Sequence, residues 1–169
     1  AGATLELTHD RGGAARIAWC GARIVSGGSR GEVVFWDAVS GERHAAPGGL
    51  VEDVVAVDCD AAAGVAVGVD AHGRAQVWDL QTGSARCGLQ AGAGLVVARL
   101  SPGRERLLTA TRGGPGHLWD VRSCRARMTF GTDGEALTDA DLSDDGAVLA
   151  TGYAGGTVRL QSVADDRTL

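Results

Sequence analysis

Short apolar segments separated by turn-forming residues run along the whole chain. Apolar and polar side chains alternate in the second half of LTDADL at 137–142, whereas ARIAW at 15–19, DVVAVD at 53–58 and LVVARL at 95–100 are almost continuously apolar between their polar residues. Alternation over about four to eight residues predicts a half-buried strand, and a continuous apolar run of that length predicts a strand covered on both faces. The pattern therefore predicts an all-β chain built from many short strands.

One dipeptide, Trp-Asp, recurs at a regular spacing. It stands at Trp36-Asp37, Trp78-Asp79 and Trp119-Asp120, which are 42 and then 41 residues apart, and Gln161-Ser162 follows 42 residues later. With these positions as repeat anchors, residues 1–169 form a single array of four units, at about 4–41, 42–83, 84–124 and 125–164. Each unit contains four predicted strands, named d, a, b and c in chain order, with Trp-Asp in strand c. A repeat of about 40 residues is typical of a four-stranded propeller blade.

Several short motifs accompany this repeat: FWD, VWD and LWD at strand ends, LSPG at 100–103 and LSDDG at 142–146. Together they resemble the WD-repeat family, over residues 4 to about 164. The resemblance implies a β-propeller in which the a strands line a central channel. It also implies that partners dock mainly on the face that carries the d–a loops and the b–c turns.

The hydrogen-bonded set found in that family is incomplete here. Family members commonly join a histidine before strand a, an Asp in the b–c turn, a strand-b hydroxyl and the Trp. Only His9 stands near the histidine position, and the acid positions hold Arg30, His72, Gly113 and Gly155. No unit is predicted to have the whole set, and we expect strand pairing and packing to hold the units together.

The chain has fewer units than a propeller of this family usually needs to close its ring. Propellers of this family usually close with about seven or eight blades, and this chain supplies four units. The first segment corresponds to strand d and the last to strand c, so residues 4–9 are predicted to complete the unit begun by residues 137–162. Three interpretations stay open: a part of a longer propeller protein, favoured by Ala1 in place of Met; a homodimer forming an eight-bladed ring; and a closed four-bladed monomer.

Composition narrows the classes of partner and location. The chain has 16 basic residues, all arginine, against 21 acidic ones, for a net charge of −5. Binding to nucleic acid needs a concentrated positive surface, so we expect no nucleic-acid partner. No apolar run approaches the roughly 20 residues of a membrane helix, and we expect no membrane association.

The four cysteines form no Cys-x-x-Cys pair, and Cys20 and Cys59 are predicted to be buried free thiols. Free thiols favour a reducing, intracellular location, in the cytoplasm or the nucleus.

Three patterns that can carry chemistry are each interpreted as structural. Gly27-Gly28-Ser29-Arg30-Gly31 matches the Gly-x-Ser-x-Gly elbow of hydrolases, but a strand follows it where the elbow needs a helix. The acids of the fourth unit lack the Gly and Glu of a calcium loop; they are Asp139, Asp141, Asp144 and Asp145. The histidines fall in separate units. We therefore predict no catalytic residue, no cofactor and no metal site.

Arg30, His72 and Arg112 all fall in predicted b–c turns and are the candidate partner-binding residues. On one face of a propeller they would form a positive cluster suited to acidic groups of a partner. The sequence thus favours a non-catalytic WD-repeat scaffold for protein–protein interaction within a larger protein or complex. Two alternatives are the substrate-recognition propeller of a ubiquitin-ligase adaptor and the sensor region of a signalling ATPase. A propeller hydrolase is disfavoured, because no acids, histidines or metal ligands converge.

Overall fold

A computed structural model of the chain describes residues 4–9, 12–13, 16–101 and 105–164. These residues form fifteen β-strands in four antiparallel sheets and contain no α-helix, which confirms the all-β prediction. Pro102 and Gly103 of the predicted LSPG turn lie outside the described residues.

The strands follow the chain from sheet to sheet. Sheet 1 contains β1 (Arg16–Cys20), β2 (Arg23–Gly27), β3 (Val33–Asp37) and β4 (Arg43–Ala45). Sheet 2 contains β5 (Val54–Asp60), β6 (Val65–Asp70), β7 (Arg74–Asp79) and β8 (Ala85–Gln90). Sheet 3 contains β9 (Leu95–Ser101), β10 (Arg106–Thr111), β11 (Gly116–Asp120) and β12 (Arg125–Phe130). Sheet 4 contains β13 (Leu137–Leu142), β14 (Val148–Tyr153) and β15 (Val158–Ser162).

Within each sheet, every strand after the first pairs with the strand that precedes it in the chain, so the spatial order of every sheet is its chain order. The first strands β1, β5, β9 and β13 also contact one another from sheet to sheet. They are therefore the inner a strands, followed outward by strands b, c and d. This arrangement of repeated four-stranded sheets fits a β-propeller architecture.

Three hydrophobic cores lie between consecutive sheets, because each sheet buries an apolar face against the next. Sheets 1 and 2 enclose Val25, Phe35, Val54 and Trp78; sheets 2 and 3 enclose Val67, Val77, Leu107 and Trp119; sheets 3 and 4 enclose Leu108, Leu118, Leu137 and Leu149. Burying one such side chain contributes about 1.5–3 kcal/mol. The stacking of sheets is thus the main source of stability.

The two ends of this stack do not meet. Among the described residues, sheets 1 and 4 share no interface like those between consecutive sheets. Residues 4–9 form no strand and do not complete sheet 4 as the sequence predicted. They lie against sheet 1, where His9 Nε2 is 2.7 Å from Ser26 Oγ. The expectation that residues 4–9 complete the last unit of their own chain is wrong, and so is a closed four-bladed monomer, because the described sheets form an open arc.

The cysteines also differ from expectation. Cys20 pairs with Cys59 and Cys87 pairs with Cys124, with Cα–Cα distances of 5.9 and 6.3 Å. The prediction of free thiols is wrong, because cysteines 39 and 37 residues apart lie side by side on neighbouring sheets of a structure that repeats about every 42 residues. The expected reducing compartment has no further support from these residues.

Candidate interaction face

The b–c turns of sheets 1, 2 and 3 project from the same edge of the stack. Because the strands alternate in direction, the d–a loops leading into β5, β9 and β13 reach that edge as well. Arg30 lies between β2 and β3, His72 between β6 and β7, and Arg112 between β10 and β11. All three are exposed. We call this surface the turn face.

The turn that carries Arg30 is held in one conformation. Arg30 has a left-handed backbone with φ of 55°, and its amide donates a hydrogen bond to Asp53 Oδ1 at 3.1 Å. Gly31 follows with φ of 71°, and a Cβ there would collide with the Leu50 carbonyl. The segment that matches the hydrolase pattern is a short 3-10 turn, Ser29–Gly31, followed by β3, as its structural interpretation predicted.

A buried carboxylate fixes the turn that carries His72. Asp70 Oδ1 accepts hydrogen bonds from the amides of His72 and Arg74, both at 3.0 Å. Asp70 Oδ2 accepts the amide of Val51, at 3.4 Å, and so joins this turn to the neighbouring d–a loop. The His72 side chain points outward, with Nδ1 3.8 Å from Glu52 Oε1.

The predicted positive cluster is only partly present. The structure brings the three turns to one edge, but Glu52 and Asp53 lie beside His72 and Arg30. Within the described part of the chain, no hydrogen bond or ion pair joins Arg30, His72 and Arg112 to one another. The turn face therefore carries charges of both signs on rigid turns.

The aspartates of the Trp-Asp pairs close the turns at the opposite edge. Asp37 Oδ1 accepts the amides of Val39 and Ser40 at 2.9 and 2.7 Å and the Ser40 hydroxyl at 3.0 Å. Asp79 and Asp120 make the same three bonds to the residues two and three positions further on. The three aspartates are thus structural residues of the c–d turns.

These hydrogen bonds lower the pKa of each aspartate. For Asp37 the main cause is the Ser40 amide, and for Asp120 it is the Ser123 amide. For Asp79 the Arg86 guanidinium, 2.7 Å from Oδ2, has the largest effect, followed by the Thr82 amide. The pKa of Asp79 falls well below the usual range of a carboxyl group.

The tryptophans anchor the sheets in two ways. Trp36 Nε1 donates to Ser26 Oγ at 2.6 Å, and Trp119 Nε1 donates to Thr109 Oγ1 at 2.9 Å. Gly68 takes the hydroxyl position in sheet 2, and there Trp78 Nε1 donates to the Pro47 carbonyl at 2.9 Å.

Sheet 1 contains a hydrogen-bond network that the sequence did not predict. Ser26 links Trp36 to His9 Nε2, and His9 Nδ1 lies 3.2 Å from Glu32 Oε2. The other carboxylate oxygen of Glu32 accepts Arg43, at 2.7 Å. The prediction that no unit has the whole set overlooked Glu32, which supplies the acid from the position just before β3, two residues after Arg30. The usable signal was an acid four residues before Trp36.

The predicted acid cluster of the fourth unit is distributed among different contacts. Asp139 Oδ1 accepts the Ala140 amide and Asp141 Oδ1 the Leu142 amide, both at 2.9 Å. Within the described residues, no three His, Cys, Asp or Glu side chains come close enough to share a metal ion. His117 lies in β11 with Nδ1 3.1 Å from Thr129 Oγ1, and burial lowers its pKa. No described helix has both the length and the apolar character needed to span a membrane.

Comparison with known proteins gives information about the fold of the chain and not about its function. No protein-family model and no curated protein sequence matches the chain. Many solved structures share its fold. One of them is the crystal structure of the computationally designed Ika4 protein, with a TM-score of 0.76 and 20% sequence identity over 96% of this chain and 99% of that one. A designed protein at this identity is a likeness of fold alone.

Proposed function

We propose that this chain is a WD-repeat β-propeller module without catalytic activity, and that it binds other proteins through the turn face. The proposal is supported by the three Trp-Asp pairs, whose aspartates make equivalent turn contacts in sheets 1 to 3. It is also supported by the turns opposite those anchors, which present exposed charged side chains.

The observation that carries the proposal is the rigidity of those turns. The Arg30 turn is tied to Asp53, and the His72 turn is tied to the buried Asp70. Side chains on fixed backbone lose little conformational entropy on binding, because only their own rotamers have to be ordered. A repeated scaffold that holds such residues at one edge suits recognition of a protein surface.

The charges of the turn face indicate the chemistry of the partner. Arg30 and Arg112 offer planar guanidinium groups, which bind carboxylates in a bidentate geometry. Glu52 and Asp53 interrupt the positive charge, and a purely acidic partner would be repelled there. The fitting partner carries carboxylates interspersed with basic side chains.

Charge reversal tests this proposal. We expect Arg30→Asp combined with Arg112→Glu to weaken capture of the protein partner by roughly tenfold or more, because each lost interfacial ion pair leaves an unpaired charge. Asp is chosen at position 30 because it tolerates the left-handed backbone better than most residues. The measurement is quantitative mass spectrometry of proteins captured from a cell extract of the source.

The matched control is Arg125→Glu combined with Arg127→Glu. It makes the same change of charge on the exposed outer strand of sheet 3. A partner lost with the turn-face variant and kept with the control supports the proposal. If both variants capture the same proteins as the wild type, the turn face is not the binding surface.

A further inference from the structure

The two ends of the stack expose apolar side chains. Ile17 and Trp19 of β1 are 75% and 70% exposed, on the face of sheet 1 that points away from sheet 2. Val158 and Leu160 of β15 are 71% and 47% exposed, on the face of sheet 4 that points away from sheet 3. We call these surfaces the leading face and the trailing face.

The leading face consists of positions that are covered in the next sheet. Ile17 pairs with Ser26 and Trp19 with Ile24, as Val57 pairs with Gly68 and Cys59 with Ala66 in sheet 2. Val57 and Cys59 pack in the core between sheets 1 and 2. Ile17 and Trp19 therefore occupy the positions that pack on a preceding sheet.

The trailing face consists of positions that, in sheets 2 and 3, are covered by the following sheet. Leu160 pairs with Ala150, as Leu118 pairs with Leu108 in sheet 3 and Val77 with Val67 in sheet 2. Leu118 and Val77 are fully buried, each in the core formed with the following sheet. Leu160 thus lies where a following sheet would cover it.

Strand content is complementary at the two ends. Within residues 105–164, sheet 4 has strands a, b and c, and β15 is its outer strand. Residues 4–9, which the sequence predicted as a strand d, lie against sheet 1 and pair with none of the described sheets. His9 stands beside Trp36, with ring centroids 6.0 Å apart, much as Pro47, just after β4, meets Trp78 in sheet 2.

We infer that two copies of this chain join end to end, with the trailing face of each packed on the leading face of the other. Residues 4–9 of one copy then pair with β15 of the other, and the two open arcs close into a ring of eight sheets. The association uses the end faces and leaves the turn face free.

A polar contact inside the chain supports the same docking. Asp58 Oδ2 accepts the amide of Leu100, in the next sheet, at 2.7 Å. By strand register, Asp141 corresponds to Asp58 and Trp19 corresponds to Leu100. Asp141 of one copy is therefore positioned to accept the Trp19 amide of the second copy. An unrelated partner would not be expected to match the apolar positions, the outer edge of β15 and this acceptor together.

The first test is the mass in solution, measured by light scattering after size exclusion. We expect twice the chain mass of 17.2 kDa. Val158→Asp and Ile17→Asp should each raise the dissociation constant by roughly tenfold or more, because a carboxylate would have to enter the junction. Both side chains are largely exposed in the single chain, so the variants should keep the wild-type circular dichroism spectrum. The control, Val39→Asp, changes a residue that is 89% exposed in a c–d turn, and it should leave the mass unchanged.

The second test uses the geometry of the Cys20–Cys59 pair, which joins sheets 1 and 2 across a Cα–Cα distance of 5.9 Å. At the proposed junction Ser143 corresponds to Cys20 and Trp19 to Cys59. The double variant Trp19→Cys with Ser143→Cys should give a two-copy band without reductant that disappears on reduction. Neither single variant should give that band.

A mass of one copy with no cross-linked band would overturn the inference. That result would mean that further sheets of a longer chain, and not a second copy, cover the two end faces. Species of three or more copies would also overturn it, because the arcs would not close in pairs.

Discussion

At the scale of single residues, Trp78 shows how a repeat anchor becomes a core residue. It is 1% exposed, packs edge-to-face on Phe35 with ring centroids 6.2 Å apart, and donates to the Pro47 carbonyl. We expect Trp78→Ala to lower the free energy of unfolding by about 3–5 kcal/mol, through lost burial and a cavity between sheets 1 and 2. Urea denaturation measures the change.

The comparison for Trp78 is Val39→Ala, at a site that is 89% exposed. It should change the free energy of unfolding by no more than about 0.5 kcal/mol. Equal effects of the two substitutions would mean that Trp78 is not packed between the sheets.

The aspartates of the c–d turns make stability depend on pH. Their pKa values in the folded chain are lowered, by the Ser40 amide for Asp37, the Arg86 guanidinium for Asp79 and the Ser123 amide for Asp120. Their contribution to stability is therefore present above the unfolded carboxyl pKa of about 3.9 and is lost as the pH falls toward the folded values. We expect the part of the thermal midpoint that depends on these aspartates to be lost between about pH 5 and about pH 2.

Variants separate these aspartates from other carboxylates. Asp79→Asn should flatten the dependence of the thermal midpoint on pH, because one of the depressed carboxyl groups is removed. Asp144→Asn, in the exposed turn after β13, should keep the slope of the wild type. If Asp79→Asn also keeps that slope, the hydrogen bonds from Arg86 and Thr82 do not act on stability.

At the scale of elements, the two disulfides join sheet 1 to sheet 2 and sheet 2 to sheet 3. Each closes a loop of nearly one repeat, and loss of one should lower the free energy of unfolding by about 2–4 kcal/mol. Cys124 stands where the equivalent turns have Gly41 and Gly83, with a left-handed φ of 57° against 73° and 72° for the two glycines.

Because Cys124 occupies a glycine position, two variants that both lack the Cys87–Cys124 bond can be compared directly. Cys87→Ala with Cys124→Gly should be more stable than Cys87→Ala with Cys124→Ala by about 1 kcal/mol, because glycine adopts a left-handed backbone without steric cost. Thermal and urea unfolding under non-reducing conditions give the difference. An equal or lower stability of the glycine variant would contradict the strained turn.

The strands and turns were predictable from the sequence, and the contacts between units were harder to predict. The Trp-Asp pair of the second unit was predicted to lie in strand c, and it ends β7, which spans Arg74–Asp79. Local alternation and the Asp-x-x-Ser/Thr turn are sufficient for that, because both depend on residues close in the chain. The pairing of Cys20 with Cys59 depends on how neighbouring sheets stack, and its one sequence signal was a spacing close to the repeat.

The candidate site was predictable in position and less so in charge. The turns of Arg30, His72 and Arg112 do reach one edge, since that follows from strand alternation. Glu52 and Asp53 were overlooked because they belong to a d–a loop, whose approach to the b–c turns depends on the Asp70 contact with Val51. The role of Glu32 was missed for a similar reason. Glu32 stands two residues after the usual acid position, and only its contact with His9 in the folded chain identifies it as the acid of the set.

At the scale of the whole molecule, the turn face and the end faces divide the surface between two kinds of contact. The turns are charged and rigid, whereas the ends are apolar and include β15, the outer strand of sheet 4 among the described residues. An uncovered apolar edge of this kind favours association of chains. Closure of the ring would remove both ends and leave the turn faces of two copies on one assembly. A bivalent partner could then bind more tightly than either face alone allows.

Closure also predicts that stability depends on protein concentration. If folded chains are held in pairs, the thermal midpoint of the wild type should rise by roughly 2–4 °C for each tenfold increase in concentration, because association acts on the folded state alone. Leu160→Asp should melt at a midpoint that does not change with concentration, since its trailing face no longer packs on a second copy. Calorimetry at several concentrations measures both. A concentration-independent midpoint for the wild type would mean that the open arc is stable alone, and that Ile17, Trp19, Val158 and Leu160 remain in contact with water.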